Sequence, residues 1–229
     1  MASELGTVIV TGGASGLGAA IAYAVRDAGG SPVVLDRRAP ADGLAHEVVD
    51  LAVPADARAA VARVVEEHGG VRGVVTAAGV DTPAPLVDTA WEDWERIVAV
   101  NLLGTAAVVH AALPSLQASG GRIVTVASTL GFRVFGDATA YCASKFGVVG
   151  FTRALAAETA GEVGVTLLVP GGMQTSFFDG RDERYRPGPD AQLVDPAEMA
   201  AGVIFALTRP PGVELRELVM TPSVEPSWP

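Results

Sequence analysis

The sequence predicts an α/β domain, a doubly wound three-layer sandwich with helices on both faces of a mostly parallel seven-stranded sheet. Three observations predict it. Short β-rich runs alternate with Ala-rich helical stretches along the chain, and such alternation gives parallel strands joined by right-handed helical crossovers. Several of the runs are apolar throughout, as strands covered on both faces must be. The first run is followed at once by a glycine-rich turn and a helical pattern, TGGASGLG at 11–18 and then IAYAVRDA.

The runs at 7–10, 33–35, 47–49, 73–76, 122–127, 165–169 and 217–220 read as strands, and about 16–28, 55–68, 91–116, 140–160 and 196–207 as helices. TVIV at 7–10 and VVL at 33–35 have the β-branched, apolar composition of buried strands. The last main helix opens on Asp195-Pro196 with Glu198 behind it, an acidic cap followed by a proline where no N–H is needed. Between the sixth strand and that helix, residues 172–194 contain FFDGRDERYRPGPD, a polar connection longer than usual. It follows the C-terminal end of a strand, the edge where such sheets bind ligands, so a substrate lid is expected; a surface loop with short helical turns is the alternative. The tail, 221–229, carries Pro222, Pro226 and Pro229. It cannot be regular helix and is a candidate to pack across a subunit boundary.

The 229 residues suit one domain, taken as 1–229, with ample material for a three-layer core. Hydrophobic residues make up 49% and charged ones 18%, an apolar excess to be buried inside the fold or between subunits. No uninterrupted apolar stretch is expected to cross a bilayer. Residues 1–7, with Glu4 leading into an apolar strand, lack the pattern of a signal peptide, and a cytoplasmic location is expected. A formal net charge of −10 argues against nucleic acid and anionic membrane as partners, because binding phosphate relies on Lys and Arg. Cys142 is the single cysteine, which excludes an internal disulfide and a cysteine-based metal cluster. Its place beside Tyr141 invites a catalytic reading, but with no His nearby it reads as a small packing residue. His46, His68 and His110 lack metal-ligand spacing, so no metal is expected.

Chemistry concentrates in two groups of residues. In the first, glycines at 12, 13, 16 and 18 let the backbone turn sharply and approach a pyrophosphate, while the helix behind them offers free N–H groups and a partial positive charge. The Gly12 to Gly16 gap differs from the common G-x-G-x-x-G, so the loop alone is a modest signal. Asp36 ends the second strand about twenty residues on, where a carboxylate can accept from the ribose hydroxyls of a bound dinucleotide. It favours NAD(H), since a 2′-phosphate would meet a like charge. Arg37 and Arg38 favour NADP(H), since a guanidinium grips phosphate. With no basic residue in the glycine loop, NAD is expected and NADP is the alternative.

The second group is Ser128, Tyr141 and Lys145. Tyr141 and Lys145, at i and i+4, share a helix face, so the ammonium lies near the phenol. A tyrosine titrates near ~10 and is a poor base at neutral pH; Lys⁺ and the positive nicotinamide of an oxidised cofactor both favour phenolate. Tyr141 then reads as general base in oxidation and acid in reduction. Ser128 ends the strand RIVTVAS at the ligand-binding edge, where its hydroxyl can hold a substrate oxygen. A Tyr-x-x-x-Lys pair alone is commonplace, but chance does not readily order it behind the glycine loop, Asp36 and Ser128.

Together these residues resemble the short-chain dehydrogenase/reductase family, over essentially the whole chain. TGGASGLG is similar to its TGxxxGxG cofactor motif, which implies cofactor contacts from Gly12, Ser15, Gly16, Leu17 and Gly18, with Asp36 and Arg37 at the adenosine ribose. Asn101 in NLLG is similar to its catalytic asparagine, and Ser128, Tyr141 and Lys145 to its other catalytic residues. Pro170-Gly171 through Thr175 is similar to its nicotinamide-side PGxxxT. The resemblance implies a Rossmann-type fold and further roles. Asp50 and Leu51 would contact adenine, Tyr141 and Lys145 the nicotinamide ribose, and Met173 and Thr175 the carboxamide. Asn101 would kink its helix and anchor a water that passes protons from Lys145 toward solvent. One departure stands out: the family's NNAG is here Thr76-Ala77-Ala78-Gly79. Two bracing asparagine side chains are missing, and backbone contact from Ala77, Ala78 and Gly79 remains.

For the substrate, TLGFRVFGDATA at 129–140 and Phe177 with Phe178 suggest an apolar pocket for a ketone or secondary alcohol, or else Phe132 and Phe135 pack only against the helix. Arg133 could meet an anionic substrate or a partner's acidic surface. The expected function is reversible hydride transfer between NAD(H) and a small secondary alcohol or ketone. Alternatives are an NADP(H)-dependent 3-oxoacyl-type carbonyl reductase, an NAD-retaining epimerase or dehydratase, and a catalytically idle cofactor-sensing regulator. The Ala-rich helices near 105–116 and 141–160 permit close packing, and a homodimer or homotetramer is expected.

Overall fold

Strands β1 (Thr7–Thr11), β2 (Ser31–Asp36), β3 (Ala45–Val48), β4 (Gly73–Thr76), β5 (Arg122–Val126), β6 (Gly164–Pro170) and β7 (Glu217–Met220) form one sheet in the order β3-β2-β1-β4-β5-β6-β7. The computed structural model describes residues 5–228; the expectations for residues 1–4 and Pro229 lie outside the described residues. Every strand pair is parallel, so the antiparallel allowance in "mostly parallel" goes unused. The chain moves outward from β1 to β3, then returns to place β4 on the other side of β1. That reversal opens a crevice at the C-terminal ends of β1 and β4, where open α/β sheets hold ligands.

The helices are α1 (Gly16–Asp27), α2 (Pro54–Glu67), α3 (Trp91–Val98), α4 (Thr105–Ser119), α5 (Thr139–Glu158) and α6 (Pro196–Leu207). Successive strand side chains face opposite ways, which explains why the strands read as unbroken apolar runs. Ile9, Leu35, Val74 and Ile123 pack under α2, α4 and α5. Their neighbours Val8, Val10, Val34, Val75 and Val124 pack under α1 and α6. Both layers are filled mostly with apolar side chains, so most strand positions between them are apolar.

The single helix expected near 91–116 is three pieces. Between α3 and α4 the backbone widens into a π-turn, Ala99–Gly104. Asn101 sits in it, 1% exposed, and the Thr105 hydroxyl donates to the Asn101 carbonyl at 2.9 Å. The kink implied at Asn101 by the family resemblance is therefore present as a π-bulge, a frequent device at functional sites. The combined helix of 29 residues corrects one expectation: its most apolar window has a mean hydropathy of 1.8, enough by length and composition to cross a membrane. Half of that window is buried inside the fold, with α4 packed on α2, as in the core helix of an α/β sandwich.

The tail has the irregular backbone its prolines require. It has no helix over 221–228, but it packs on its own chain. Glu225 Oε2 accepts from the Gly172 N–H at 3.0 Å, the Ser227 hydroxyl donates to Thr129 Oγ1 at 2.7 Å, and Trp228 meets Phe132 edge-on at 5.5 Å.

The π-turn rests against the β3–α2 connection at Gly104, where a β-carbon would lie 2.7 Å from the Leu51 carbonyl oxygen and 3.1 Å from Leu51 Cβ. Gly104→Ala is expected to lower unfolding free energy by about 1–3 kcal/mol through overpacking, as read by urea denaturation.

Candidate active site

The crevice has a wall built for close backbone approach. Gly12 and Gly16 have φ of +70° and +55°, a region side chains disfavour. A β-carbon on Gly12 would lie 2.8 Å from Ala78 Cα, and one on Gly18 would collide with the Gly12 carbonyl. Behind them α1 starts without a side-chain cap: Ser15 is extended and makes no capping bond. The first N–H groups of a helix have no intrahelical partner, so Gly16, Leu17 and Gly18 present open donors. Gly16 faces Thr175, the nearest side chain to its would-be β-carbon at 3.4 Å. An uncapped helix start and a cradle that β-carbons would fill suit the pyrophosphate of a dinucleotide.

Asp36 does two things at once. Its carboxylate accepts from the Ala14 N–H and the Arg38 N–H, each at 3.1 Å, so it caps the turn behind it. A carboxylate has about four acceptor sites, and capacity remains for ribose hydroxyls. Arg37 and Arg38 are exposed beside it. Asp50 pairs with Arg96 at 3.1 Å and accepts from the Ala52 N–H at 3.0 Å. Burial works against its charge, yet the Ala52 N–H, Arg96 and Arg37 together hold its carboxyl below the usual range. Leu51 is buried in the core. Arg96 was not legible as its partner.

On the other side of the switch, the Ala78 N–H donates to Thr11 Oγ1 at 3.0 Å, which ties the Ala77–Ala78–Gly79 turn to β1. Thr76 Oγ1, at the position of the first family asparagine, is buried with no hydrogen-bond partner among the described residues. Pro170 ends β6, and the Gly171 N–H donates to the Met220 carbonyl at 2.9 Å. Met173 bridges to Val194, and Thr175 Oγ1 accepts from the Phe177 N–H at 3.3 Å.

Ser128, Tyr141, Lys145 and Asn101 converge at the same sheet edge. Ser128 continues β5 and accepts from the Leu130 N–H at 3.1 Å. Tyr141 and Lys145 lie on the first turns of α5, 9% and 4% exposed. Lys145 Nζ donates to the Val126 carbonyl at 2.9 Å and sits 5.6 Å from the centre of the Tyr141 ring. Asn101 Oδ1 accepts from the Val80 N–H at 2.8 Å, while Nδ2 donates to the Val80 carbonyl and to Ser144 Oγ, each at 3.0 Å. The Ser144 hydroxyl donates onward to the Tyr141 carbonyl at 2.8 Å. Ser144 was missed, although its place between Tyr141 and Lys145 was a signal. A β-carbon on Gly79 would lie 3.6 Å from both Asn101 Oδ1 and Lys145 Nζ, so these two groups border one space.

Electrostatics differ from the sequence argument. Burial pushes the Tyr141 phenol well above its ordinary pKa; the Ser128 hydroxyl pulls it back, Asp81 adds to the rise and Arg181 opposes it. Burial also lowers Lys145 to about 8, with Asp81 working the other way. Desolvation therefore outweighs the help that Lys⁺ was expected to give phenolate. At neutral pH the protein alone holds a phenol beside an ammonium.

The 172–194 connection is closed at its base by the Gln174 and Val194 N–H groups, which donate to the Val194 and Gly172 carbonyls at 2.9 Å. It contains two short 3₁₀ turns, Ser176–Phe178 and Glu183–Tyr185. The turns of the loop alternative are thus present, but the segment is docked. Phe177 packs on Tyr141 with ring centroids 5.9 Å apart, and the Tyr185 hydroxyl donates to Asp137 Oδ2 at 2.8 Å. Arg181 pairs with Asp81, a partnership sequence reasoning did not find. The apolar wall comprises Phe177, Val80, Trp94 and Leu130 around Tyr141 and Cys142. Phe132 is not part of it: it packs with Val148, Val149 and Trp228, and Phe135 is 52% exposed. Arg133 is exposed. Cys142 is 7% exposed and packs near Ile97.

A family model described as short chain dehydrogenase matches residues 6–186. The chain is 36% identical over 217 residues to D-threitol dehydrogenase of Mycolicibacterium smegmatis, covering 86% of this chain and 84% of that protein. It is 31% identical over 237 residues to glycine betaine reductase of Emericella nidulans, where the match covers 95% of this chain but 19% of that much longer protein. Among solved structures, ligand-free aldohexose dehydrogenase of Thermoplasma acidophilum superposes with a TM-score of 0.84 at 25% identity, covering 94% of this chain and 92% of the other.

Two outcomes follow from the buried polar groups. Asn101→Ala strands the Val80 N–H and carbonyl and is expected to cost about 2–4 kcal/mol of stability in urea titration. Lys145 binds its proton less tightly folded than unfolded, so its burial opposes folding fully below pH 8 and progressively less from there to its unfolded value near ~10.4. Lys145→Met should therefore gain stability relative to wild type at pH 7, with the gain shrinking as melting is followed above pH 8.

Proposed function

Because this chain belongs to the short-chain dehydrogenase family, oxidoreductases that act on small molecules with nicotinamide cofactors, we propose that it transfers hydride between NAD(H) and a secondary alcohol or ketone. One observation carries the reading. Ser128, Tyr141 and Lys145 are buried, with Phe177 packed on the Tyr141 ring, at the sheet edge where α1 begins uncapped.

A bound nicotinamide supplies the hydride acceptor in oxidation and the donor in reduction. Ser128 Oγ holds the substrate oxygen beside the Tyr141 phenol. In reduction the phenol gives its proton to that oxygen; in oxidation the deprotonated oxygen of Tyr141 takes the proton from the carbinol. Lys145 steadies the negative oxygen of Tyr141 while it keeps its own proton, below about pH 8. Asn101 sets the frame by fixing Val80 and, through Ser144, the first turn of α5. The 172–194 connection acts as the lid, its Phe177 keeping water from the proton-transfer atoms.

Asp36 supports NAD over NADP, because a 2′-phosphate would approach a carboxylate already placed at the end of β2. The names of two similar proteins, acting on D-threitol and on aldohexoses, support a carbinol substrate over a 3-oxoacyl one. The regulator alternative leaves the buried Ser128, Tyr141 and Lys145 constellation without a use. Exposed Phe146 and Leu103, with the small residues Ala143 and Gly150 on the outer face of α5, support self-association into a dimer or tetramer.

Tyr141→Phe is expected to lower kcat by roughly 10²–10⁴-fold on a panel of secondary alcohols, while NADH binding, followed by its fluorescence, persists. Unchanged turnover would remove the phenol from the chemistry. With the wild-type protein, kcat/KM for NAD should exceed that for NADP; the reverse order would place Arg37 and Arg38 ahead of Asp36.

A further inference from the structure

Beside Tyr141 lies an ion pair that proton transfer does not use. Arg181 Nη2 is 3.2 Å from Asp81 Oδ2, and the two side chains are only 10% and 6% exposed. Charges withdrawn this far from water need hydrogen bonds as well as each other. Arg181 has not found them: Nε and Nη2 are buried without a hydrogen-bond acceptor among the described residues, so the contact with Asp81 is one of charge and not of direction. The guanidinium is held by stacking, its carbon 4.5 Å from the centre of the Phe177 ring and 5.0 Å from that of Phe178.

Asp81 is placed just as firmly. It follows Val80, whose N–H and carbonyl are both bound by the Asn101 amide. Phe177 spans the two sites by packing on Tyr141. A buried carboxylate and a buried guanidinium with unpaired N–H groups therefore lie behind Phe177, whose ring packs on that of Tyr141.

The ligand chemistry can be read from what each group lacks. An apolar substituent would leave the open N–H groups of Arg181 unpaired. An anion would satisfy them but would enter beside the Asp81 carboxylate, in a site too dry to screen the repulsion. A hydroxyl accepts from Arg181 and donates to Asp81, and it carries no charge. We propose that Asp81 and Arg181 bind a second hydroxyl of the substrate, close to the carbon that Ser128 and Tyr141 address, so that the substrate class is neutral diols and polyols and their hydroxyketone counterparts. This rests on the oxidoreductase reading and specifies its substrate.

The test compares 2,3-butanediol, 2-butanol and 3-hydroxybutyrate as NAD-dependent substrates of the full chain. In the wild-type protein, kcat/KM for the diol should exceed that for 2-butanol by about 10- to 100-fold, with 3-hydroxybutyrate no better than 2-butanol. Arg181→Met and Asp81→Asn should each reduce the diol to mono-alcohol ratio by about tenfold or more, and Arg181→Lys should restore part of it. Equal losses on diol and mono-alcohol would make the pair a structural latch and overturn the proposal, as would a wild-type preference for 3-hydroxybutyrate. If Arg181→Met does not fold, the near-isosteric Asp81→Asn decides. Should no alcohol be oxidised, the hydride-transfer reading fails by itself, and melting of the protein with NAD then decides this one. A rise given by 2,3-butanediol but not 2-butanol, and lost in Asp81→Asn, supports hydroxyl recognition; no such rise overturns it.

Discussion

The side-chain amide of Asn101 is the interaction on which the site depends. A buried amide is costly unless its groups are bonded, and this one bonds both backbone groups of Val80 and the Ser144 hydroxyl. Those bonds join three parts of the chain: the turn after β4, the widened helix between α3 and α4, and the first turn of α5. The π-turn places Asn101 where it can reach all of them. Ser144 then carries the constraint to the backbone of Tyr141, so the position of the phenol is set by an amide forty residues away in sequence, by roughly one helix-and-strand unit.

Much of this was legible because the sheet is covered on both faces. Burial on two sides demands apolar central strands, and all seven strands, the exposed edges β3 and β7 included, are found within a residue or two of their expected places. The glycine loop, Asp36, Ser128, Tyr141 and Lys145 were legible for a related reason: each sits at the end of a strand or start of a helix, and the topology brings those ends to one edge. Packing that depends on direction was not legible. Phe132 lies near Ser128 in sequence, but its ring turns to Trp228. Arg181 and Asp81 are separated by a hundred positions, and an arginine in a polar connection looks solvated until the fold buries it. The π-turn was hidden too, because one extra residue in a helical turn leaves the apolar pattern on either side nearly intact.

The electrostatic lesson is that proximity and burial pull the same groups in opposite directions. Sequence spacing predicts an ammonium beside a phenol and therefore an easier ionisation. The fold supplies the ammonium but removes the water around both groups, and desolvation dominates for each. The resting site is accordingly a store of protons, and an added positive charge is what would draw one from the phenol. The protein's overall charge of −10 has little part in this, since the groups that matter are buried and compensated locally.

Residues 221–228, after β7, dock on loops at the C-terminal edge of the sheet. Glu225 reaches the turn that follows β6, while Ser227 reaches the turn that follows β5, across sequence separations of 53 and 98 positions. Contacts between such distant positions close large loops, whose entropy must be overcome before the contact gives anything back. Both are polar bonds, and the apolar support beside them comes from Trp228 against Phe132. The docking of the tail is thus expected to set late and loosen early: it can come undone while every strand of the sheet remains paired, so release of the tail and loss of the fold are separate events.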